Sequence, residues 1–164
     1  MLEMKVFGLA LDENNQAPVL ILKDLKDEAG LPIWIGAMEA MAISMVLNKV
    51  AFPRPMTHDL LLNVIAGMGG KLARVEITAL EEGTYFADLV VIQNGQPRRI
   101  DARPSDAVAL ALRAEAPILV AETVLARAGT ADKAAPKPTL LSGEADRWTD
   151  VLEKFSVDDT KYKM

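Results

Sequence analysis

The apolar residues of this chain fall into two kinds of run, and the order in which the two kinds recur restricts the fold more than any other feature. In the first half, "MKVFGLAL", "PVLILKD" and "LPIWIG" are short and are separated by the turn clusters "DENNQAP" and "LKDEAG". Runs of this length between polar, Gly- and Pro-bearing clusters read as β-strands, the first two as a hairpin with a long loop. "AMEAMAISMVLNKV" then continues without Gly or Pro, rich in Ala and Met, and predicts a helix. "AFPRPMT" breaks it, and Thr57 is a suitable N-cap for a second helix, "HDLLLNVIAGM", stopped by Gly69 and Gly70. The second half repeats the order. "KLARVEITAL", "TYFADLVVIQ" and "RRIDA" are strands joined by turns at "EEG" and "NGQP", and "SDAVALALRAE" is a helix with Ser105 as N-cap. "PILV" and "AETVLARAG" add a last strand and a last short helix.

This order predicts an α+β fold, a mixed β-sheet covered by helices. Glu39-Ala40-Met41-Ala42-Ile43 can be laid over Asp106-Ala107-Val108-Ala109-Leu110, each block opening a helix after a short strand. An internal duplication of a strand-strand-strand-helix unit accounts for the match. So does the general likeness of amphipathic helix starts.

At 164 residues and 51% apolar composition, the chain can bury one substantial core. The expected organisation is an α/β domain over 1–128, a polar linker over 129–141 ("TADKAAPKPT" lies within it), and a C-terminal helix and tail over 142–164. Trp148, Leu152 and Phe155 fall at helical spacing in the last segment. With no cysteine, disulfides, thiolate metal sites and a cysteine nucleophile are excluded, and a cytoplasmic location is expected. No apolar run is long enough to cross a membrane, and the start of the chain, with Glu3 and Lys5, does not read as a signal peptide. The formal charge of −5 argues against a dedicated nucleic-acid-binding module. It leaves open an enzyme that meets phosphate locally.

Three places carry candidate chemistry. In "IDARPSDAVALAL" a strand gives way to a helix through Asp101, Arg103, Pro104, Ser105 and Asp106. Helix capping explains Ser105 and Asp106, and Pro104 suits a helix entry. Capping does not require Asp101 or Arg103. An Arg and carboxylates beside a helix N-terminus could instead bind phosphate, or hold a divalent cation through oxygen. "PRPMTHD" joins Arg54 to a helix start that holds His58, the sole histidine, and Asp59. A histidine beside an acid can move protons near neutral pH, and an Asp in a first turn is also favoured by the helix dipole. Glu39 interrupts an apolar helix and needs a partner, either Arg54 or Arg103, or a metal. There is no strand–Gly-rich loop–helix phosphate site, no Gly-x-Ser-x-Gly elbow and no ordinary zinc set. Basic residues interleaved with aromatics, as on an RNA-stacking sheet, are not expected.

"LPIWIGAMEAMAISMVL", "RPMTHDLLLNVI", "RVEITALEEGTYFADLVV" and "IDARPSDAVALALRAEAPILVAETVL", in this order, resemble the bifunctional nuclease domain family over about residues 3 to 127. The tail is similar to that of short bacterial members. The resemblance implies a helix-covered mixed sheet built by duplication, self-association as a homodimer or higher homo-oligomer, and nuclease activity on DNA and RNA. It brings no established catalytic set.

Two functions follow. The first is a metal-assisted nuclease hydrolysing phosphodiester bonds in RNA and DNA. Glu39, Asp101 and Asp106 would bind Mg²⁺ or Mn²⁺, with no organic cofactor. Arg54, Arg103 and Ser105 would hold phosphate, and His58, Asp59, Asp101 and Asp106 would form the catalytic set. The second is a non-enzymatic oligomeric binding or regulatory module whose Arg–Asp pairs are structural. An open concave site would favour the first. Sealed, mutually paired Arg and Asp side chains would favour the second.

Overall fold

The computed structural model describes residues 1–12, 14–26, 29–131 and 139–140. The elements run β1 (Leu2–Leu11), β2 (Pro18–Asp24), β3 (Gly30–Trp34), α1 (Ala37–Leu47), α2 (Thr57–Gly67), β4 (Gly70–Glu81), β5 (Thr84–Gln93), β6 (Gln96–Ala102), α3 (Pro104–Ala114), β7 (Ile118–Val120), α4 (Glu122–Ala131) and β8 (Thr139–Leu140). One mixed sheet has the order β3-β2-β1-β7-β4-β5-β6, and β8 pairs with β1. The fold is α+β, as the order of runs predicts. Each half contributes a three-stranded antiparallel meander, and β7 lies between them, antiparallel to β1 and parallel to β4.

Turn chemistry sets the second meander. The β4–β5 and β5–β6 connections are two-residue turns, Glu82-Gly83 and Asn94-Gly95, with positive φ at all four residues. That backbone twists in the sense that antiparallel strands need, and Gly adopts it without a Cβ clash.

The core lies between the sheet and the helices. Leu20 and Leu22 of β2, Val75 and Ile77 of β4, and Ala87 and Leu89 of β5 meet the buried α3 residues Ala107, Val108, Leu110 and Ala111. On the opposite sheet face Ala10, Val19 and Ile21 form a second small cluster. Burial on both faces explains why β2 reads as a continuous apolar run. β6, at the edge, is exposed along most of its length, and such a strand tolerates Pro97 and charge. α1 and α2 flank α3, so the N-termini of α2 and α3 approach the first turns of α1.

Both expected caps shift by a residue or two. Thr57 is the first helical residue of α2, whose N-cap is Met56. Ser105 is the second residue of α3, whose N-cap is Arg103, because Pro104 takes the first helical position. α4 runs to Ala131, beyond the expected boundary at 128, and Thr139–Leu140, within the expected linker, pairs with β1. The Trp148–Leu152–Phe155 stripe lies outside the described residues.

Candidate functional site

Where α1, the start of α2 and the start of α3 meet, a cavity of about 260 Å³ opens. Met38, Met41, Met45 and Met56 form much of its wall, and a row of charged side chains lines it with them. Glu39 comes from the first turn of α1, His58 from the first turn of α2, and Arg103 and Asp106 from the entry of α3.

The row is continuous. Arg103 Nη1 lies 2.8 Å from Glu39 Oε1. Arg103 Nε donates to Asp106 Oδ2 at 2.7 Å, and His58 Nε2 lies 3.1 Å from Asp106 Oδ1. Burial pushes the Asp106 carboxyl up, but hydrogen bonds from Arg103 and then His58 outweigh it and hold it below the ordinary carboxylate value. An ionised carboxylate only accepts hydrogen bonds, so His58 Nε2 carries the hydrogen and donates. Neutral His58 therefore keeps Nδ1 able to take a proton. Asp106 in turn holds Arg103 firmly in its charged form.

A second pair stands behind the first. Arg113 Nε donates to Asp59 Oδ1 at 2.8 Å, Nη1 to Ala109 O at 2.9 Å, and Nη2 to Ala42 O at 3.1 Å. The other Asp59 oxygen accepts the Met56 N–H at 2.9 Å. That backbone hydrogen bond is the main reason Asp59 titrates below its ordinary value; burial opposes it and Arg113 supports it. With both oxygens and all three guanidinium nitrogens engaged, this pair ties α1, α2 and α3 together.

Of the eight candidates, the structure thus gathers Glu39, His58, Arg103 and Asp106 around one opening. It commits Asp59 to the Arg113 tie. Ser105 is buried and lines another hollow, on the far side of the Glu39–Arg103 pair. Arg54 lines an open groove of about 530 Å³ that meets the cavity at Met45 and Arg113. Asp101 goes elsewhere. It lies opposite Asp88, which lies opposite Glu76, on the sheet face turned away from the core residues Ala87 and Leu89. The expected metal set of Glu39, Asp101 and Asp106 is therefore not assembled. Glu39 Oε1 and Asp106 Oδ2 face a guanidinium instead, and among the described residues no three His, Asp or Glu side chains converge to hold a metal ion.

Sequence reasoning missed Arg113, the methionine wall, Lys49 and Phe52. The segment Lys49-Val50-Ala51-Phe52-Pro53-Arg54 does interleave cations with an aromatic, on the short scale of one loop, and the three side chains line the same groove.

The family model for the bifunctional nuclease domain matches residues 20–133, which take in every element that shapes this opening. The chain belongs to the bifunctional nuclease domain family. An uncharacterized protein of Mycobacterium tuberculosis is 41% identical over 97% of this chain and 98% of its own length. Bifunctional nuclease 1 of Arabidopsis thaliana is 30% identical over 63% of this chain, and bifunctional nuclease 2 of the same plant is 30% identical over 65%. The matched segments span about a third of those plant proteins, 33% and 34%. The family match includes Glu39, His58, Arg103 and Asp106, so the charged row lies wholly within the shared domain.

Proposed function

We propose that this protein is a nuclease that hydrolyses phosphodiester bonds in RNA and DNA, with the reaction centred on His58. One observation carries the reading: the sole histidine meets an ionised carboxylate at 3.1 Å on the rim of a cavity, rather than in a sealed pair. Asp106 orients the ring and Arg103 fixes Asp106. His58 Nδ1 takes the proton of a water molecule as its oxygen attacks phosphorus. The P–O bond to the leaving sugar oxygen breaks, and that oxygen receives a proton from the imidazolium or from solvent. Arg103, which is 65% exposed, meets the charge that gathers on the non-bridging oxygens.

Glu39, Arg103 and Asp106 sum to −1 when His58 is neutral. The row is thus built to orient and move protons more than to attract phosphate. Mg²⁺ or Mn²⁺ has no place in the step as written, because Arg103 occupies the carboxylates that would bind it. The Arg113–Asp59 tie answers to the structural half of the alternative reading, and both features occur side by side. Self-association and a cytoplasmic location belong to the proposal as well. α2 and its C-cap leave Leu60, Leu61, Val64 and Met68 exposed, an apolar face of the kind that marks interaction surfaces.

The test is cleavage of end-labelled single-stranded RNA and DNA by protein made in a nuclease-deficient host, with EDTA, with Mg²⁺ and with Mn²⁺. Cleavage that survives EDTA supports the reaction as written. Cleavage only with added metal keeps the nuclease and replaces the mechanism. No cleavage of either substrate under any condition overturns the nuclease.

A further inference from the structure

We infer that the cavity and the groove beside it together form a track for one unpaired nucleic-acid strand, with a base in the methionine-walled cavity and the next base against Phe52. The inference deepens the nuclease reading and rests on it for the placing of the scissile phosphate.

Size and lining point to a base. At about 260 Å³ the cavity falls just below the range of about 300 to 1,000 Å³ usual for drug-sized ligands, so it suits a single ring system. Methionine side chains are polarizable and adaptable, and a wall of them packs against flat rings without selecting one outline. The charged row lines the same cavity, within reach of the phosphate that a base held there would bring.

Charge points to a strand that continues. The His58 row does not attract phosphate by net charge, and the whole chain is acidic at −5. The adjoining groove differs. Its Arg113 and Asp59 cancel each other, leaving Lys49 and Arg54, which have no ion pair among the described residues. Phe52, 44% exposed, stands in the same groove. An aromatic face beside cations is the arrangement that holds unpaired strands, by stacking on bases and neutralising phosphates. The groove and cavity share Met45 and Arg113, so one strand can run from one into the other. Bases stacked and paired inside a duplex can enter neither.

The test uses the full chain and a short fluorescein-labelled phosphorothioate oligodeoxynucleotide, single-stranded or annealed to its complement, read by fluorescence anisotropy. The single strand is expected to bind at least about tenfold more tightly than the duplex. Phe52→Ala is expected to weaken single-strand binding about 5- to 150-fold, the usual range for one base–aromatic stack. The double variant Lys49→Gln/Arg54→Gln is expected to reduce the slope of log affinity against log salt by about 1.4, two phosphates on a single strand. These side chains are exposed, and unchanged melting temperatures confirm folding. Equal binding of duplex and single strand overturns the inference, as does an unchanged affinity in Phe52→Ala or an unchanged salt slope in the double variant. Cleavage of unmodified strands is followed in parallel. Cleavage without the binding preference removes the track and leaves the nuclease. The preference without cleavage supports the track and removes the nuclease.

Discussion

His58 Nε2 and Asp106 Oδ1 lie 3.1 Å apart although 48 positions separate them in the chain. The contact joins the first turn of α2 to the first turn of α3 and fixes the tautomer of the ring. It also divides the two aspartates of the Asp-Ala-Arg-Pro-Ser-Asp stretch by role. Asp106→Asn, which cannot hold His58 and Arg103 as an anion does, is expected to lower cleavage by about 10²- to 10⁴-fold, the usual contribution of a positioned general base. His58→Ala is expected to do the same. Asp101→Asn, on the other face of the sheet, is expected to leave kcat/KM within about twofold of the parent. Initial rates on labelled RNA, with melting temperatures as a control, decide between them.

Asp59 and Asp106 are two of the carboxylates, with Asp12 and Glu76, that are held below their ordinary values and so contribute to the acid limit of stability. Asp59 and Asp106 both titrate below 3.8 in the folded protein. A folded value below the unfolded one means that the unfolded chain binds protons first as pH falls. Their stabilisation is therefore fully present above the unfolded value and is lost as pH drops through the folded ones. The melting temperature of Asp59→Asn is expected to lie below the parent's at pH 7 and to converge on it below pH 3.8. A gap that stays constant across that window contradicts the assignment.

Gly36 keeps the Glu39–Arg103 pair in place by lacking a side chain. A Cβ at Gly36, built on the existing backbone, collides with Glu39 Oε2, while its φ of −76° is acceptable to alanine. Gly36→Ala is thus expected to change stability by less than about 1 kcal/mol, since a flexible carboxylate tip can move aside. The same substitution loosens Arg103 from one of its two carboxylates, and kcat is expected to shift severalfold while the urea midpoint moves only within that limit.

Arg113 is the structural guanidinium. Its side chain is 10% exposed and donates to three partners on three helices. Arg113→Ala is expected to destabilise the protein by about 3 kcal/mol, because a carboxylate and two carbonyls lose their donor together. Arg113→Lys recovers little of this, since one ammonium cannot reach the three positions of a planar fork. Urea unfolding of both variants measures it.

Much of the architecture is legible along the chain. The short runs between turn clusters are the strands, and Asn94-Gly95 and Glu82-Gly83 are the tight turns that their residue types demand. The site is legible only in part. The motif "RPMTHD" holds His58, which reaches the cavity, but also Arg54, which faces the groove, and Asp59, which anchors Arg113. Those three fates diverge within one loop and one helical turn, where each residue points about 100° from the last. Along the chain Asp101 and Asp106 share one strand-to-helix junction. The β6 register with Asp88 turns Asp101 to the opposite sheet face, and "QPRRIDA" has no apolar alternation from which that face could be read.

By itself, then, the sequence determines the order and kind of the elements, the turns between them and the family, since these depend on neighbours within a few positions or on shared motifs. Only the tertiary structure decides which charged side chains meet. Glu39, His58 and Asp106 come from three helices, and their meeting depends on how α1 and α2 pack beside α3 over the sheet. That packing is governed by shape and burial across the whole core, and no local pattern of residues encodes it.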